Sequence, residues 1–400
     1  GNFFLKTNAY YFWPETCISQ KAESVVVAQV ASAGIASITS STSPEKRPMK
    51  NLKKLLKLAP LLAVAYGSSA QALEFKFNYA PTMDARALKG FEQAAKLWSN
   101  VLKDDVTVNL NIGFSTLGTG ILGSTGSNRK FYYYSDFREA MVADASTGND
   151  RKAVAGLKQG DYLNPLMNGT TSNPNGAGST QTWLDDNNSF NNSVIGMTLA
   201  NARALGMWES QDSEVDGNIT FSDVWNWDFN RNDGIASNAF DFVGVAAHEI
   251  GHALGFISGV DILDGNLTGP YSEDAFYYIS PTDVFRCSVG SRAAGADLDW
   301  SADNRTKYFS LDNCKTTLAP FSTGRTYGDK QQASHWKDNL DIGIMDPTGA
   351  YGEFMDITAL DYQMFDTIGW NFVPEPGSMA LLGFGAIGLA AARRRRAKQA

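Results

Sequence analysis

The chain has 400 residues with 34 basic and 42 acidic side chains, which give a net charge of −8. The acidic excess is concentrated between residues 73 and 372, where 21 basic and 38 acidic residues give a net charge of −17. A segment this acidic is unsuited to bind polyanions, so the composition excludes nucleic acid and anionic lipid surfaces as expected partners. Its length suits one large domain or two tightly packed lobes.

The first recognisable segment in chain order is an export signal at 49–72. A basic stretch opens at Met49 and runs into a short apolar segment, and residues 70–72 read Ala-Gln-Ala, the small-residue form that signal peptidase cuts. The alternative of a membrane anchor is weaker, because the apolar run falls short of the roughly 18 to 20 residues needed to span. We therefore expect a mature chain that begins at Leu73, with residues 1–48 as a non-native upstream extension.

The patterns that follow are those of an α+β protein. Asp84 can cap a helix whose apolar residues recur every three or four positions from Leu88 to Leu102. Apolar and polar residues alternate from Val106 to Phe114, which indicates a half-buried strand. Similar patterns predict a helix capped by Ser135, a long surface loop over 164–193, a strand over 194–199 and a turn entering a short strand at 216–221.

Two of the three histidines lie in the segment His248-Glu249-Ile250-Gly251-His252, which has the pattern HExxH. Residues four apart share one face of an α-helix, so both imidazoles can bind one metal ion, and Glu249 stays close enough to act on a metal-activated water. We expect the helix to start near Asn238 and to end at Gly255, which can adopt the left-handed conformation. The pattern indicates a catalytic zinc site and hydrolytic chemistry.

Cysteine usage agrees with export. Cys17 precedes the predicted signal peptide, which leaves Cys287 and Cys314 in the mature chain. An even pair in an oxidising compartment predicts one disulfide, which would contribute about 2–4 kcal/mol. The alternative, a structural zinc site built from two cysteines and two histidines, requires a different histidine spacing.

The histidine motif and two later segments resemble the metzincin family of zinc endopeptidases. In that family the chain turns at the glycine of HExxHxxG, and the third histidine usually follows three residues later, where this chain has Ser258. The remaining histidine, His335, lies in a Ser-His-Trp segment, and a delayed third histidine in this context is the arrangement of the leishmanolysin branch. Residues 343–347 resemble the Met-turn, in which Met345 would form an apolar floor below the metal, and residues 357–370 resemble the closing helix.

The resemblance implies an α+β metzincin-like fold, with a twisted mixed sheet and the active-site helix in a catalytic lobe over 73–258. A mostly irregular C-terminal lobe over 259–372 would supply the third ligand. The expected cofactor is Zn²⁺ bound by His248, His252 and His335, with Asp261 as the rival third ligand because Asp replaces the third His in some related peptidases. Glu249 would be the general base, and Tyr351 would stabilise the oxyanion as a tyrosine does in some relatives, unless it is a core tyrosine.

The C-terminal end has three consecutive features. A Pro-Glu-Pro sequence at 374–376 precedes an apolar run over 379–392, and four arginines follow at 393–396. This order resembles the PEP-CTERM sorting signal of Gram-negative bacteria, which a membrane enzyme of the exosortase type processes. The resemblance implies a sorting signal with a transmembrane segment over 373–400 and a body that is exported to the cell envelope surface or released, with the arginines left in the cytoplasm. An ordinary C-terminal anchor is the alternative.

Two functions stay open at this point. The first is an exported zinc endopeptidase that acts on protein or peptide substrates and is itself processed by signal peptidase and an exosortase-type enzyme. The second is a noncatalytic zinc-binding protein of the surface or extracellular matrix that keeps the metzincin fold. Glu249 favours the enzyme, because a binding module has no need of a carboxylate beside the first ligand.

Overall fold

The computed structural model of the chain describes residues 3–7, 73–209 and 214–372. The predicted signal peptide, most of the predicted upstream extension and the predicted sorting segment lie outside the described residues. The two lobes that we expected over 73–258 and 259–372 belong to one compact unit, so they are packed parts of a single body. The boundary between them stays a prediction.

The described residues contain nine α-helices and three short 3-10 helices, at Phe190–Ser193, Arg231–Asp233 and Glu273–Ala275. The α-helices are α1 Ala85–Ser99, α2 Tyr134–Asp144, α3 Gly148–Gly156, α4 Leu199–Ala204, α5 Phe242–Leu254, α6 Val260–Asn266, α7 Pro281–Val284, α8 Val289–Ala294 and α9 Ala359–Thr367.

The strands of the described residues form one large sheet and several small ones. They are β1 Phe3–Thr7, β2 Glu74–Asn78, β3 Thr107–Ser115, β4 Ile121–Ser127, β5 Arg129–Tyr133, β6 Pro165–Met167, β7 Trp183–Leu184, β8 Val194–Thr198, β9 Gly217–Ser222, β10 Trp227–Asp228, β11 Phe240–Asp241, β12 Arg286–Cys287, β13 Leu298–Asp299, β14 Lys307–Phe309, β15 Ala319–Phe321 and β16 Thr348–Gly349.

The large sheet has the strand order β16-β1-β4-β9-β3-β2. Strands β2, β3 and β9 are parallel, and β4 runs antiparallel to β9 with Thr125 opposite Ile219. The predicted strand at Val106–Phe114 is confirmed as β3, whose Val108, Leu110 and Ile112 are buried. The fold is therefore mixed α+β, as expected, while its relation to the metzincin fold remains a prediction.

Helices α1 and α5 pack against each other beside this sheet. The capping role of Asp84 is confirmed, because its side chain accepts a hydrogen bond from the Arg86 N–H at 2.8 Å. Trp98 on the apolar face of α1 is fully buried, and its indole donates to the carbonyl of Ala247 at 2.9 Å. This contact connects α1 to the backbone of α5, the helix that carries the histidine motif.

Three predictions about local structure are wrong in detail. Helix α2 is capped at Tyr133, so Ser135 lies inside it. The segment 164–193 is only partly a surface loop, because it contains two strands and a 3-10 helix and buries the side chains of Asn191 and Asn192. Helix α5 begins at Phe242 rather than near Asn238, since the preceding residues form β11.

The part of the body after α5 consists of short elements and extended chain. The predicted disulfide between Cys287 and Cys314 is present, with Cα atoms 5.3 Å apart, and it links β12 to a turn 27 residues later. Helix α9 lies inside the segment 357–370 that was expected to form the closing helix. Among residues 3–7, 73–209 and 214–372, no helix is long and apolar enough to cross a membrane, and the predicted membrane segment lies outside these ranges.

Candidate metal centre

Helix α5 is buried along its whole length and is tightly capped at both ends. Asp241 accepts the Gly244 N–H at 3.0 Å and so satisfies one of the free backbone donors of the first turn. Gly255 ends the helix with φ of 125°, a left-handed conformation that favours glycine. These two caps bound α5 to the 13 residues that include both motif histidines.

The three histidines of the chain converge on one point. His252 Nε2 lies 3.0 Å from His248 Nε2 and 3.2 Å from His335 Nε2. Among the described residues, these three form the one group of potential metal ligands whose ligand atoms all lie within 4.8 Å of one another, and all three side chains are buried. A tetrahedral zinc ion needs ligand nitrogens about 3.3 Å apart, given Zn–N bonds of about 2.0–2.1 Å.

Each imidazole is oriented by a main-chain carbonyl. The Nδ1 atoms lie 2.7 Å from the Ile344 oxygen for His248, 2.7 Å from the Phe256 oxygen for His252, and 3.2 Å from the Gln332 oxygen for His335. A carbonyl only accepts, so each Nδ1 must carry the proton, which leaves each Nε2 with a lone pair. Three buried lone pairs that face one another repel unless a cation lies between them.

Burial also sets the charge state of these rings. It lowers the pKa of His248 to about 4, against the opposing effect of the hydrogen bond to Ile344. It lowers the pKa values of His252 and His335 well below the ordinary value, and the neighbouring histidines lower them further. At neutral pH all three imidazoles are therefore neutral, which is the state that binds metal.

The side chain of Glu249 extends from α5 to β4. Its Oε2 accepts a hydrogen bond from Thr125 Oγ1 at 2.6 Å, whereas its Oε1 is buried and has no partner. Burial raises the pKa of Glu249 well above its ordinary value, and the hydrogen bond from Thr125 opposes this. A Cβ on Gly123 would lie 2.6 Å from Glu249 Oε1, so any larger residue at this point of β4 would displace the carboxylate from its present position.

Met345 packs against helix α5, and its role in a Met-turn below the metal stays a prediction. A Cβ on Gly251 would lie 2.5 Å from the Met345 sulfur, so the thioether packs directly on the backbone of α5 between the two motif histidines. The turn itself is held by Asp361 of α9, which accepts the Ile344 N–H and the Trp336 indole N–H, both at 2.8 Å. Asp361 thus connects the predicted Met-turn to the segment that carries the third histidine.

Asp261, the rival third ligand, binds main-chain N–H groups instead of facing the histidines. Its carboxylate accepts the N–H groups of Ala333 at 2.6 Å and Ser334 at 3.3 Å, and burial raises its pKa to about 6. It therefore holds the backbone just before His335 and is not a member of the histidine group. Ser258, at the usual position of the third ligand, donates to Asp283 at 2.5 Å.

Tyr351, the predicted oxyanion stabiliser, is 42% exposed. Its ring lies against that of Phe240, with centroids 4.2 Å apart. Phe240 belongs to the strand just before α5, so the tyrosine lies near the N-terminal end of the motif helix. Its catalytic role stays a prediction.

The sequence reasoning missed Gly123, Thr125 and Asp361. Each acts on a residue more than 15 positions away, and each contact depends on how the sheet, α5 and α9 pack. A weak signal was present for Asp361, because Thr358 and Asp361 have the spacing of a capping box, which the structure shows at the start of α9.

Comparison with known proteins gives one match. Residues 372–396 match the PEP-CTERM protein-sorting motif, as expected from the C-terminal pattern. The protein is exported. The motif further implies processing at the cell envelope by an exosortase-type enzyme. No curated protein and no solved structure matches the chain.

Proposed function

We propose that the protein is an exported zinc endopeptidase that resembles the leishmanolysin branch of the metzincins. The observation that carries this proposal is the convergence of three buried, neutral imidazoles, whose Nε2 lone pairs face one another with no hydrogen-bond donor between them. An all-imidazole set with this spacing suits Zn²⁺, and three protein ligands leave a fourth position open for chemistry.

Each residue of the site has a distinct role in this proposal. His248, His252 and His335 would hold the ion, which when bound would lower the pKa of a coordinated water toward about 7 and polarise a peptide carbonyl. Glu249 takes a proton at its free Oε1 and later delivers it to the leaving amine. Thr125 holds the other carboxylate oxygen in place during both transfers.

Strand β4 offers a place for an extended substrate. In the described chain its outer edge pairs in parallel with Phe3–Thr7, a segment that precedes the predicted cleavage site before Leu73. Once the leader is removed, that edge has free backbone groups beside Glu249, and an extended polypeptide can pair with it by strand addition. This placement favours an endopeptidase, because a bound strand can continue past the site in both directions.

The alternative is a surface or matrix protein that binds zinc without catalysis. Such a protein gains nothing from a buried carboxylate whose Oε1 has no partner, since burying an unpaired acid is costly. The test is hydrolysis of casein or gelatin by the purified exported protein. We expect activity that a chelator abolishes and stoichiometric Zn²⁺ restores. A protein that holds one zinc per chain and cleaves neither substrate would support the binding function instead.

A further inference from the structure

A groove of about 850 Å³ lies between the chain that follows β9, the end of β3 and the start of α1. Four partly exposed aromatic side chains line it, and each also packs against the hydrophobic core; they are Phe114, Trp225, Trp227 and Phe229. Small-molecule sites have volumes of about 300–1,000 Å³ and a mostly apolar lining with a few polar groups. The groove therefore has the size and the aromatic lining of a binding site.

The two tryptophan rings of the groove are held in fixed orientations. The indole of Trp225 donates to the Ile121 carbonyl at 2.8 Å, and the indole of Trp227 donates to the Ser222 carbonyl at 3.0 Å. The ring of Trp227 also meets that of the buried Phe242 edge-on, with centroids 5.6 Å apart. Both N–H groups are thus used inside the protein, so the rings offer a ligand their apolar surfaces. A ligand that stacks on rings fixed in this way orders few side chains when it binds.

Polar side chains beside the rings offer both donors and acceptors. Asp223, Asn226 and Asn238 line the groove and are exposed. Thr116 Oγ1 donates to Asp223 Oδ1 at 3.1 Å, and the other carboxylate oxygen remains an acceptor. Asn226 uses one of its two amide N–H donors on the main-chain oxygen of Asn238 at 3.4 Å. This mixture suits ligand groups that both donate and accept hydrogen bonds, which is the property of a hydroxyl.

The other charged groups of the groove have partners within the protein. Asp84 forms an ion pair with Arg86, with an N–O distance of 2.6 Å. The two oxygens of Asp228 accept the main-chain N–H groups of Asn230 and Ala236, each at 2.9 Å. A cationic ligand would therefore compete with donors that are already in place, and an anionic ligand would be repelled by the carboxylates. A neutral ligand avoids both costs.

We propose that this groove binds a neutral oligosaccharide of a few sugar units. A sugar ring has a face of C–H groups that stacks on an aromatic ring, and hydroxyl groups at its edge that donate and accept hydrogen bonds. Trp225 and Trp227 provide the stacking surfaces, and the exposed carboxylate and amides beside them face the hydroxyls. Because the groove shares no residue with the histidine group, the proposal does not depend on the proposed peptidase function.

The experiment screens the purified exported protein on an array of neutral oligomers of glucose, galactose, mannose and N-acetylglucosamine, together with a lysine pentapeptide as the cationic alternative. The strongest ligand is then titrated calorimetrically into the parent and the variants. Asp223→Ala should bind it about tenfold more weakly and Asn238→Ala severalfold more weakly, because hydrogen bonds to a charged group contribute more than those between neutral groups. The matched control is Ser237→Ala, since Ser237 is the exposed neighbour of Asn238 and does not line the groove. The control should bind like the parent.

Tryptophan emission gives a second readout. Saturation with the oligosaccharide should shift the emission of the parent to shorter wavelength, because a stacked sugar displaces water from the groove rings. Trp225→Phe keeps an aromatic ring and should lose part of that shift. All test positions except Trp225 are exposed, so the melting temperatures of Asp223→Ala and Asn238→Ala should match that of the parent.

Four results would overturn the proposal. They are binding of no neutral oligosaccharide on the array, binding of the lysine peptide alone, parental affinity in both Asp223→Ala and Asn238→Ala, and a loss in Ser237→Ala as large as that in Asn238→Ala. Each is a binding result, so it leaves the proposed peptidase function to its own test.

Discussion

Thr125 provides a test of how the sheet supports catalysis. The change Thr125→Val removes a 2.6 Å hydrogen bond to Glu249 Oε2 and keeps the shape of a β-branched residue in β4. The histidines and their carbonyl acceptors are not touched. We therefore expect zinc content to stay at that of the parent while the rate of peptide hydrolysis falls.

The size of the effect follows from the contact. A buried hydrogen bond to a charged group contributes about 1.5–3 kcal/mol. If all of it serves to orient the general base, the loss corresponds to about a 10- to 100-fold fall in kcat, at about 1.4 kcal/mol per factor of ten. The effect should appear mainly in kcat, because Thr125 is not one of the three candidate metal ligands and Glu249 would act in the chemical step.

The assay is steady-state hydrolysis of a fluorogenic peptide, with zinc measured on the same samples. Thr125→Ser keeps the hydroxyl and should retain most of the activity. Ser124→Ala is the matched control, because Ser124 is the neighbouring buried hydroxyl of β4 and its Oγ has no partner. A Thr125→Val enzyme with parental kcat, or a Ser124→Ala enzyme that loses as much, would refute the positioning role of Thr125.

Three further changes test other parts of the site and the fold. Asp361→Ala leaves the Ile344 N–H and the Trp336 indole N–H unpaired, so it should lower the free energy of unfolding by about 3 kcal/mol or more and weaken zinc binding. Thermal melts that match the parent would contradict this. Asp261→Ala should weaken zinc binding only severalfold in a competition titration, since Asp261 holds the backbone before His335; complete loss of zinc would make it a ligand. Burial and Asp150 raise the pKa of Asp366 to about 6, so its stabilising contribution is present at low pH and lost as pH rises through about 6. Asp366→Asn should therefore raise the melting temperature at pH 8 by about 2–4 °C for each kcal/mol recovered, and change it little at about pH 3.5, below the unfolded-state pKa of 3.8. An equal shift at both pH values would contradict the assignment.

The sequence predicted those parts of the site that depend on local spacing. His248, Glu249 and His252 lie on one helix, and the turn at Gly255 follows from the conformational freedom of glycine. The structure also brings His335 to the other two histidines, a contact between residues 83 positions apart that only the resemblance suggested. Local patterns equally predicted α1 with its Asp84 cap and the strand β3.

The error over 164–193 and the site residues that the sequence did not predict have a common physical origin in packing between distant segments. Polar residues between 164 and 193 were expected in a surface loop, but Asn192 donates to the carbonyls of Leu163 and Asp185 and is therefore buried. Nothing in the local composition separates an amide that binds water from one that satisfies buried carbonyls. The roles of Thr125 and Asp361 could not be predicted from local sequence for the same reason, because their hydrogen-bond partners lie in other elements.

The central claim is that Glu249 turns a three-histidine zinc site into a peptidase. The most direct measurement compares peptide hydrolysis by the parent and by Glu249→Gln, with zinc per chain measured in both samples. We expect one zinc in each and at least about a hundredfold lower rate in the variant, because a positioned general base contributes about 10²- to 10⁴-fold. Parental activity in a zinc-loaded Glu249→Gln protein would contradict the account.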